Sequence, residues 1–324
     1  MIQLEHKIRD KKVLFVTTKN IDYIRNVQEI TLLKRYARRT KVLYSDKKNY
    51  IARILEVWCK LIVSGRNYDV IFIGFAPQLV APFFLKFKNK EIMIDFFVSV
   101  YDTLVNDRKK FSGHNPIAGL CRWVDTFVIR KADLVITDTK ADAEYFIHEF
   151  RGERNKFKTI YLEADKRIYY PRKQQKRHDL ADKFVVLYFG SILPLQGVDI
   201  VLNAIEMLRD EKNIFFQMIG PLSPKYRAPV QDNVEYIDWL SQEELAEYIA
   251  NADLCLAGHF NREIDKAKRT IPGKAYIYES MGKNMVLGDN RANREIYGLS
   301  DKVFWTEMGN AEALAKVIVH CSRS

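Results

Sequence analysis

The stretch KAKRTIPGKAYIYESMGKNMVLGDNRANRE, Lys266–Glu295, combines a basic segment, a proline–glycine pair, a helical pattern and an acidic residue. Pro272 and Gly273 are typical of a helix start, where the first backbone amides lack intrahelical partners and direct a partial positive charge outward. Glu279 follows about one and a half turns into this helix. Four cations surround the helix start: Lys266, Lys268, Arg269 and Lys274. The stretch predicts a site for a nucleoside diphosphate, which carries both anionic and hydroxyl groups.

Strands and helices alternate along the rest of the chain. In the first half, apolar runs predict strands at Lys12–Thr17, Lys41–Tyr44, Val70–Phe75, Glu91–Phe97 and Leu134–Thr137. In the second half they predict strands at Phe184–Phe189, Ile214–Ile219, Val234–Ile237, Leu254–Ala257 and Asn284–Leu287. Helical patterns lie between these runs, among them Val198–Leu208, Gln242–Ala250 and Lys274–Met281. This alternation favours an α/β protein with two parallel, Rossmann-like sheets.

One polar stretch interrupts the alternation. Tyr169–Asp179, YYPRKQQKRHD, is basic, contains a proline and cannot bury an apolar face, so it is the candidate linker. We therefore predict one domain at 1–172 and a second at 173–324. In the second domain a glycine follows each of four predicted strands: Gly190, Gly220, Gly258 and Gly288. Because ligands of open α/β sheets bind beyond the carboxyl ends of the strands, these loops are expected to share one rim.

Composition excludes several classes of protein. The 324 residues are 48% hydrophobic, which is typical of a globular chain, and no uncharged apolar run is long enough to span a bilayer. The N-terminus lacks the apolar core of a signal peptide, so a cytoplasmic location is expected. Cysteines are scattered without metal-like spacing and predict reduced thiols: Cys59, Cys121, Cys255 and Cys321.

Positive charge is concentrated in the first half. Residues 1–180 hold 36 Lys and Arg against 21 Asp and Glu, a balance of +15, whereas residues 181–324 hold 16 against 20, a balance of −4. Such an excess is typical of proteins that face nucleic acid, anionic lipid or a phosphorylated substrate, and also of a merely soluble surface.

Further segments carry a resemblance to a known family. Tyr188–Gly197 (YFGSILPLQG), the helical Val198–Leu208, Asp95–Lys110 (DFFVSVYDTLVNDRKK) and Lys131–Asp138 (KADLVITD) occur in family order with Lys266–Glu295. In these segments the chain resembles retaining glycosyltransferases of family 4, in particular a bacterial branch that builds surface glycans. The resemblance implies the GT-B fold, with the parallel sheets of an acceptor-side first domain and a donor-binding second domain facing a central cleft.

The resemblance also implies roles for the opening stretch. Lys266, Arg269 and Lys274 would stabilise the diphosphate leaving group without a metal, and Glu279 would hold the nucleotide ribose. Two departures from the family pattern matter. Ile271 occupies the position of the first glutamate of a paired motif, and the loop has neither of the cations that many relatives carry at Ser191 and Gln196. The cations of Lys266–Lys274 must therefore carry more of the phosphate binding.

Other residues are implied in the donor or acceptor sites. Trp239 either stacks on the base or packs in the core, and His259 either meets the donor or is an ordinary loop histidine. Asp289 and Glu295 are placed in the last loop as a donor-sugar contact and a helix cap. The full donor-binding set is Gly190, Ser191, Leu195, Gln196, Gly197, Gly220, Trp239, His259, Gly273, Asp289 and Glu295. The acceptor-side set is Asp95, Ser99, Asp102 and Asp107, none of which is assigned as a general base.

The predicted activity is retaining transfer of a sugar from a UDP- or GDP-sugar, with no other cofactor and no metal, to a glycan or lipid-linked acceptor in bacterial surface polysaccharide synthesis. Two alternatives stay open: a GT-B sugar-nucleotide epimerase, and a non-catalytic partner subunit that binds nucleotide sugars, which the two departures would explain. A nucleic-acid binder would account for the basic half but leaves the donor-like half unexplained, and no such motif is present.

The helix at Asn49–Val63 is amphipathic and lies among basic residues. Its apolar side, formed by Tyr50, Ile54, Val57, Trp58 and Leu61, is expected to pack against the core. An anionic membrane surface is the alternative partner of this basic half, which would place the protein peripherally at the inner face of the plasma membrane.

Overall fold

The computed structural model describes residues 2–87, 89–190, 193–224 and 226–324. These residues divide into two compact units, Met1–Leu162 and Glu163–Ser324. Each unit is built around one six-stranded sheet, and all strand pairings in both sheets are parallel. The alternation of strands and helices seen in the sequence therefore predicts the class of fold correctly.

The first sheet has the strand order β2-β1-β3-β4-β5-β6. Its strands are β1 (Lys12–Val16), β2 (Arg39–Leu43), β3 (Val70–Ile73), β4 (Glu91–Asp95), β5 (Leu134–Thr137) and β6 (Phe157–Thr159). The helices of this unit are α1 (Ile2–Ile8), α2 (Ile24–Tyr36), α3 (Tyr50–Ser64), α4 (Pro116–Lys131) and α5 (Lys140–Glu149).

Both faces of the first sheet are buried under helices. On β1, Val13 and Phe15 point into a cluster with α1 and α2, while Leu14 and Val16 point into one with α3, α4 and α5. Side chains alternate between the two faces of a strand, so covering both faces requires the continuous apolar run seen in VLFV.

The second sheet has the strand order β12-β11-β10-β7-β8-β9. Its strands are β7 (Phe184–Phe189), β8 (Ile214–Ile219), β9 (Val234–Ile237), β10 (Leu254–Gly258), β11 (Asn284–Gly288) and β12 (Val303–Thr306). Its helices are α6 (Val198–Met207), α7 (Gln242–Asn251), α8 (Asp265–Arg269), α9 (Gly273–Ser280), α10 (Arg291–Tyr297) and α11 (Ala311–Arg323). Helices α6 and α11 share a core with the sheet, and α9 packs on β10 and β11.

The predicted linker is bound to the second unit by polar contacts. Gln174 Nε2 donates to Asn251 O at 2.9 Å, Lys176 Nζ pairs with Asp253 Oδ2 at 2.6 Å, and Arg177 Nη1 pairs with a carboxylate of β9. Upstream, Ser280 Oγ donates to Tyr169 O at 2.6 Å. The stretch forms no strand or helix before His178, as its polar composition predicts, but the predicted boundary at 172/173 falls inside the second compact unit.

A buried charge cluster lies at the carboxyl end of β4. Arg25 donates to both carboxylate oxygens of Asp95, at 3.2 and 3.0 Å, and to Ile160 O at 2.5 Å. Glu29 lies one turn further along α2, with Oε1 3.6 Å from Arg25 Nε. Burial, reinforced by the Asp95 carboxylate, raises the pKa of Glu29 well above its ordinary 4.5. The raised pKa favours the protonated form of Glu29, so Asp95 is the stronger anionic partner of Arg25.

The protonated Glu29 predicts a pH dependence of stability. The folded state keeps a proton that the unfolded chain releases above pH 4.5, so this contribution is complete below that pH and is lost as pH rises through the raised pKa. The free energy of unfolding is expected to fall by at most about 1.4 kcal/mol per pH unit in that window. Glu29→Gln is expected to remove this slope in urea titrations between pH 5 and 8. The exposed Glu153→Gln is the matched control, and a Glu29→Gln variant with the wild-type slope would show that Glu29 is ionised.

Candidate functional site

Four loops of the second unit meet at the carboxyl rim of its sheet. A Cβ at Gly220, after β8, would lie 2.4 Å from Gly190 O, after β7. A Cβ at Gly288, the last residue of β11, would lie 2.2 Å from His259 O, after β10. No side chain fits at either point, so glycine is what allows these backbones to approach. The rim predicted from the four glycine loops is therefore present.

Lys274 is the most unusual side chain at this rim. It lies in the first turn of α9 and is only 5% exposed. Its Nζ lies 3.7 Å from the centroid of the Tyr188 ring and has no hydrogen-bond partner among the described residues. Burial lowers the pKa of Lys274 well below its ordinary 10.5. A buried amine without a counter-ion is costly, so this position favours an anionic ligand.

His259 lies beside the same cation. It is buried, and its Nδ1 is 3.4 Å from Thr270 Oγ1. Burial, together with the positive charges of Lys274 and Lys266, lowers the pKa of His259 to about 3. The imidazole is therefore neutral at physiological pH and can donate or accept a hydrogen bond, but it does not supply a positive charge.

The basic segment before α9 folds as the short helix α8 rather than as a loop. Asn261 Oδ1 accepts from the amides of Glu263 and Ile264 at 2.8 and 3.1 Å, which turns the chain into the helix. Ile264, just before α8, and Ala267 within it then pack with Leu195 and with Met308, which follows β12. The Leu195 side chain belongs to this cluster, so it holds α8 against the 194–196 turn.

The three cations of α8 differ in burial. Lys266 is half-buried and lies close enough to His259 to lower its pKa. Arg269 is buried, immediately before Thr270. Lys268 is exposed and pairs with Asp265 at 2.8 Å. Of the four cations in the segment, Lys268 is therefore the one that belongs to the solvated surface.

Helix α9 begins as the sequence predicts, with Pro272 as its N-cap and Gly273 exposed at its first position. Ile271, at the position of the absent first glutamate, is buried. Glu279 lies near the end of the helix with an exposed side chain, and Tyr297 OH donates to its Oε2 at 3.2 Å. Burial and the Glu279 carboxylate raise the pKa of Tyr297, so it stays a hydrogen-bond donor. Eighteen positions separate the two residues, and no local pattern signals the contact.

The loop after β7 is described in part. Ser191 lies outside the described residues. Gln196 O accepts from Phe260 N at 3.1 Å, while its side-chain Oε1 has no partner within the described ranges and lies 3.3 Å from the Cβ position of Gly258. Gly197 has a φ of 67° at the start of α6. The loop is thus tied to the segment after β10 through its backbone.

Trp239 is 81% exposed in the turn after β9. The prediction that it packs in the core is therefore wrong, because the strand ends at Ile237 and the turn carries the side chain into solvent. Its indole face is open to a stacking partner.

Asp289 and Glu295 differ from their predicted settings. Arg294 donates to both Asp289 oxygens at 2.9 Å and lowers the pKa of that carboxyl. Asn290 caps α10, since its Oδ1 accepts from Asn293 N at 2.7 Å. Glu295 is the fifth residue of that helix, half-buried, so its predicted place as a loop residue and helix cap is wrong.

The acceptor-side residues lie within the interior of the first unit. Asp95 is fully buried and held by Arg25. Ser99 Oγ donates to the buried Asp125 at 2.7 Å, and Asp102 Oδ1 accepts from Asn106 Nδ2 at 3.0 Å. Asp107 ends the π-helical turn and is half-buried. The first three side chains are occupied by internal hydrogen bonds, so the expectation that they present themselves to an acceptor is not met.

Comparison with known sequences relates part of the chain to glycosyl transferases. Residues 183–324 match the family model described as Glycosyl transferases group 1. The chain is 25% identical over 134 residues to an MMP alpha-(1->4)-mannosyltransferase of Mycolicibacterium hassiacum, covering 39% of this chain and 31% of that protein. It is 24% identical over 230 residues to a chitobiosyldiphosphodolichol beta-mannosyltransferase of Candida albicans, covering 63% and 50%. The chain therefore spans about a third to a half of the length of these relatives.

Solved structures resemble the chain over nearly its whole length. The crystal structure of Anabaena HepE in complex with UDP-glucose matches with a TM-score of 0.65 and 17% identity, covering 96% of this chain and 90% of that one. At this identity the likeness establishes the fold. The chain has the GT-B fold, and its residues 183–324 are similar to the group 1 glycosyl transferases.

Proposed function

We propose that the protein is a retaining, metal-independent glycosyltransferase of family 4, which uses a UDP- or GDP-sugar as donor. Its acceptor is a glycan or a lipid-linked glycan of bacterial surface polysaccharide synthesis. The observation that carries the proposal is the buried amine of Lys274, which has no hydrogen-bond partner among the described residues and lies at the start of α9. The match of residues 183–324 and the names of both relatives support transfer of a sugar, and the UDP-glucose bound by Anabaena HepE supports a nucleotide sugar as its donor.

The rim supplies what departure of a diphosphate requires. Negative charge develops on the leaving phosphate as the glycosidic bond breaks, and fixed positive groups in a dry site stabilise it. Lys274, Lys266, Arg269 and the first amides of α9 are placed for this role. His259 is neutral and can contact the donor without adding charge. Glu279, held by Tyr297, accepts from the ribose hydroxyls.

The proposed mechanism retains the anomeric configuration of the transferred sugar. Because we assign no carboxylate as nucleophile or base, the leaving phosphate takes the acceptor proton, and the acceptor attacks on the face from which the phosphate departs. The names of the two relatives specify opposite linkages, one alpha and one beta. The anomeric configuration of the product, read by proton NMR, therefore tests retention directly: inversion would contradict the mechanism and leave transfer intact.

Lys274→Met is expected to weaken binding of a UDP- or GDP-sugar at least about tenfold, because the diphosphate loses a charge-assisted contact. The same change is expected to stabilise the fold by about 0.5–2 kcal/mol, since it removes a buried amine. Calorimetry and urea unfolding measure the two effects. Lys268→Met, on the exposed side of α8, is the matched control.

Turnover with lipid extracts as acceptor then separates the alternatives. Transfer of the sugar supports the proposal, whereas donor binding without transfer would indicate a partner subunit. Epimerisation of the donor without an acceptor would indicate an epimerase. Binding of none of the nucleotide sugars, or full affinity in Lys274→Met, would overturn the site assignment.

Donor binding is expected to take up protons. The pKa of Lys274 is lowered in the empty site, and a diphosphate beside it raises that pKa again. At pH values between the two, each bound donor draws up to one proton from solution, and affinity falls as pH rises through this window. The observed binding enthalpy should then change with the ionisation enthalpy of the buffer, and the change should vanish in Lys274→Met. A buffer-independent enthalpy in the wild type would show that the amine is charged throughout.

Tyr297→Phe tests how Glu279 is held. Loss of one hydrogen bond is expected to lower nucleotide affinity roughly 2- to 10-fold. The loss should be absent for nucleotides that lack the ribose hydroxyl bound by Glu279, and absent in a Glu279→Gln background. Tyr170→Phe, on the exposed surface, is the control. An equal loss for ribose and deoxyribose nucleotides would make Tyr297 a purely structural residue.

A further inference from the structure

Helix α3 has two apolar sides, of which the core uses one. Val57 and Leu61 are buried, and Trp58 packs inward with its Nε1 donating to Leu79 O at 2.9 Å. These three residues belong to the core-facing side predicted from the sequence, but the prediction is wrong for Tyr50, which is 42% exposed at the start of the helix. The other side carries large aliphatic residues in solvent, with Ile51 70% and Val63 78% exposed, together with Leu55 and Ile62. A surface helix that needs only one apolar side for its core leaves the second one without a partner in the fold.

Helix α4 repeats this arrangement. Val128 and Ile129 are buried in the same cluster as Val57 and Leu61, so both helices cover the same face of the sheet. The outward side of α4 exposes three large apolar residues: Ile117, Leu120 and Trp123.

Both helices contact the same segment, residues 77–87. Trp58 of α3 contacts Phe83, with ring centroids 5.5 Å apart. Phe127 of α4 contacts Phe84 at 6.2 Å, and Trp123 stacks on Phe127 at 5.6 Å. Leu85, within this segment, is itself exposed.

Leu55 and Ile62 lie three and four positions from Trp58, so they are next to it at the border between the core-facing and the exposed sides of α3. We name the exposed apolar residues of the two helices and of the segment that both contact the α3–α4 apolar face: Ile51, Leu55, Ile62, Leu85, Leu120 and Trp123.

Exposed basic residues lie on the two helices and in the segments that follow or precede them: Lys48, Lys60, Arg66, Lys86 and Arg122. Of these, Lys60 pairs with Glu56 and Arg122 pairs with Glu149 at 3.2 Å. Both helices are fully described, and each has one acid. Glu56 of α3 pairs with Lys60 at 2.5 Å, and Asp125 of α4 is buried. No carboxylate on either helix is thus both exposed and unpaired.

The net charge of the whole first unit is also positive. Residues 1–162 hold 30 Lys and Arg against 18 Asp and Glu, a balance of +12, whereas residues 163–324 hold 22 against 23, or −1. The positive excess therefore lies on the unit that carries the apolar face.

We infer that the α3–α4 apolar face docks on a membrane surface that carries anionic lipid headgroups. Aliphatic side chains and an indole would enter the headgroup region while the exposed cations meet the anionic lipids. Charge complementarity favours this occupant over a second copy of the chain, because two copies would bring like charges together. Among the described residues, no helix is long and apolar enough to cross a bilayer. The inference concerns the first unit and is independent of the donor site.

Vesicle flotation with the intact chain tests the surface. Binding is expected for vesicles that contain phosphatidylglycerol and not for pure phosphatidylcholine, and it should weaken as salt rises. Leu55→Ser with Ile62→Ser is expected to lower the bound fraction at least tenfold at limiting lipid. Leu299→Ser, at a fully exposed position of the second unit, is the matched control. Circular dichroism checks that each variant is folded.

Trp123 provides an internal reporter, since its side chain is 62% exposed on this face. Brominated phosphatidylglycerol should quench its fluorescence. The quenching should be lost in Trp123→Phe and kept in Trp239→Phe, which removes the exposed indole of the other unit.

Equal binding to neutral and anionic vesicles would overturn the inference, as would undiminished binding by the Leu55→Ser, Ile62→Ser variant. It would also be overturned if vesicles stayed unbound and sedimentation showed a dimer that these substitutions abolish. Donor affinity in calorimetry is expected to be unchanged by the same substitutions, so failure here and failure of the proposed activity are distinguishable.

Discussion

The arrangement of the second unit depends on one constraint, the desolvation of the Lys274 amine. Lys274 lies in a dry position between the Tyr188 ring and the Gly190 backbone, where a charged group loses its hydration and, among the described residues, gains no counter-ion. Moving the side chain into solvent would relieve this cost, but α9 fixes the position of its Cα against β10 and β11. Unfavourable local energetics of this kind persist where a fold keeps a group for binding rather than for stability.

The surrounding loops maintain that position through backbone contacts. Gly220 and Gly288 allow neighbouring loops to approach at distances that any side chain would prevent. The Leu195 cluster fixes α8, so that Lys266 lies near His259 while Lys268 points outward. Burial, together with the positive charges of Lys274 and Lys266, then suppresses protonation of His259. Cationic character at the rim is therefore concentrated in lysine and arginine, while histidine remains a neutral polar group.

Sequence alone predicts the parts of this structure that depend on local pattern. Strands β7, β8 and β9 begin and end where the apolar runs do, and the proline–glycine pair marks the start of α9. The edge strands β6 and β12 are missed, because three and four residues are too few to show a periodic pattern. The approach of the glycine loops and the start of α9 follow from local pattern for the same reason.

What sequence cannot predict is pairing between distant residues. Asp95 is expected on the acceptor side from the family resemblance, but Arg25, seventy positions earlier, holds it in the interior. Asp289 is engaged by Arg294, and Glu279 is positioned by Tyr297. The exposure of a side chain also depends on the tertiary structure. The apolar residues in the sequence of α3 do not show that it is Val57, Trp58 and Leu61 that pack against the core.

The division of charge between the units separates two kinds of electrostatic recognition. The donor rim belongs to a unit whose balance is −1, so a diphosphate is attracted there by a few desolvated cations and helix amides rather than by net charge. The balance of +12 on the other unit is spread over exposed side chains, where salt screens each one and only a large, multiply charged partner gains from the sum. Since the cations of the second unit already account for a diphosphate, the excess on the first unit calls for an extended anionic partner. Its location on the unit that carries the α3–α4 apolar face supports the inferred docking on a surface with both headgroup charge and hydrocarbon.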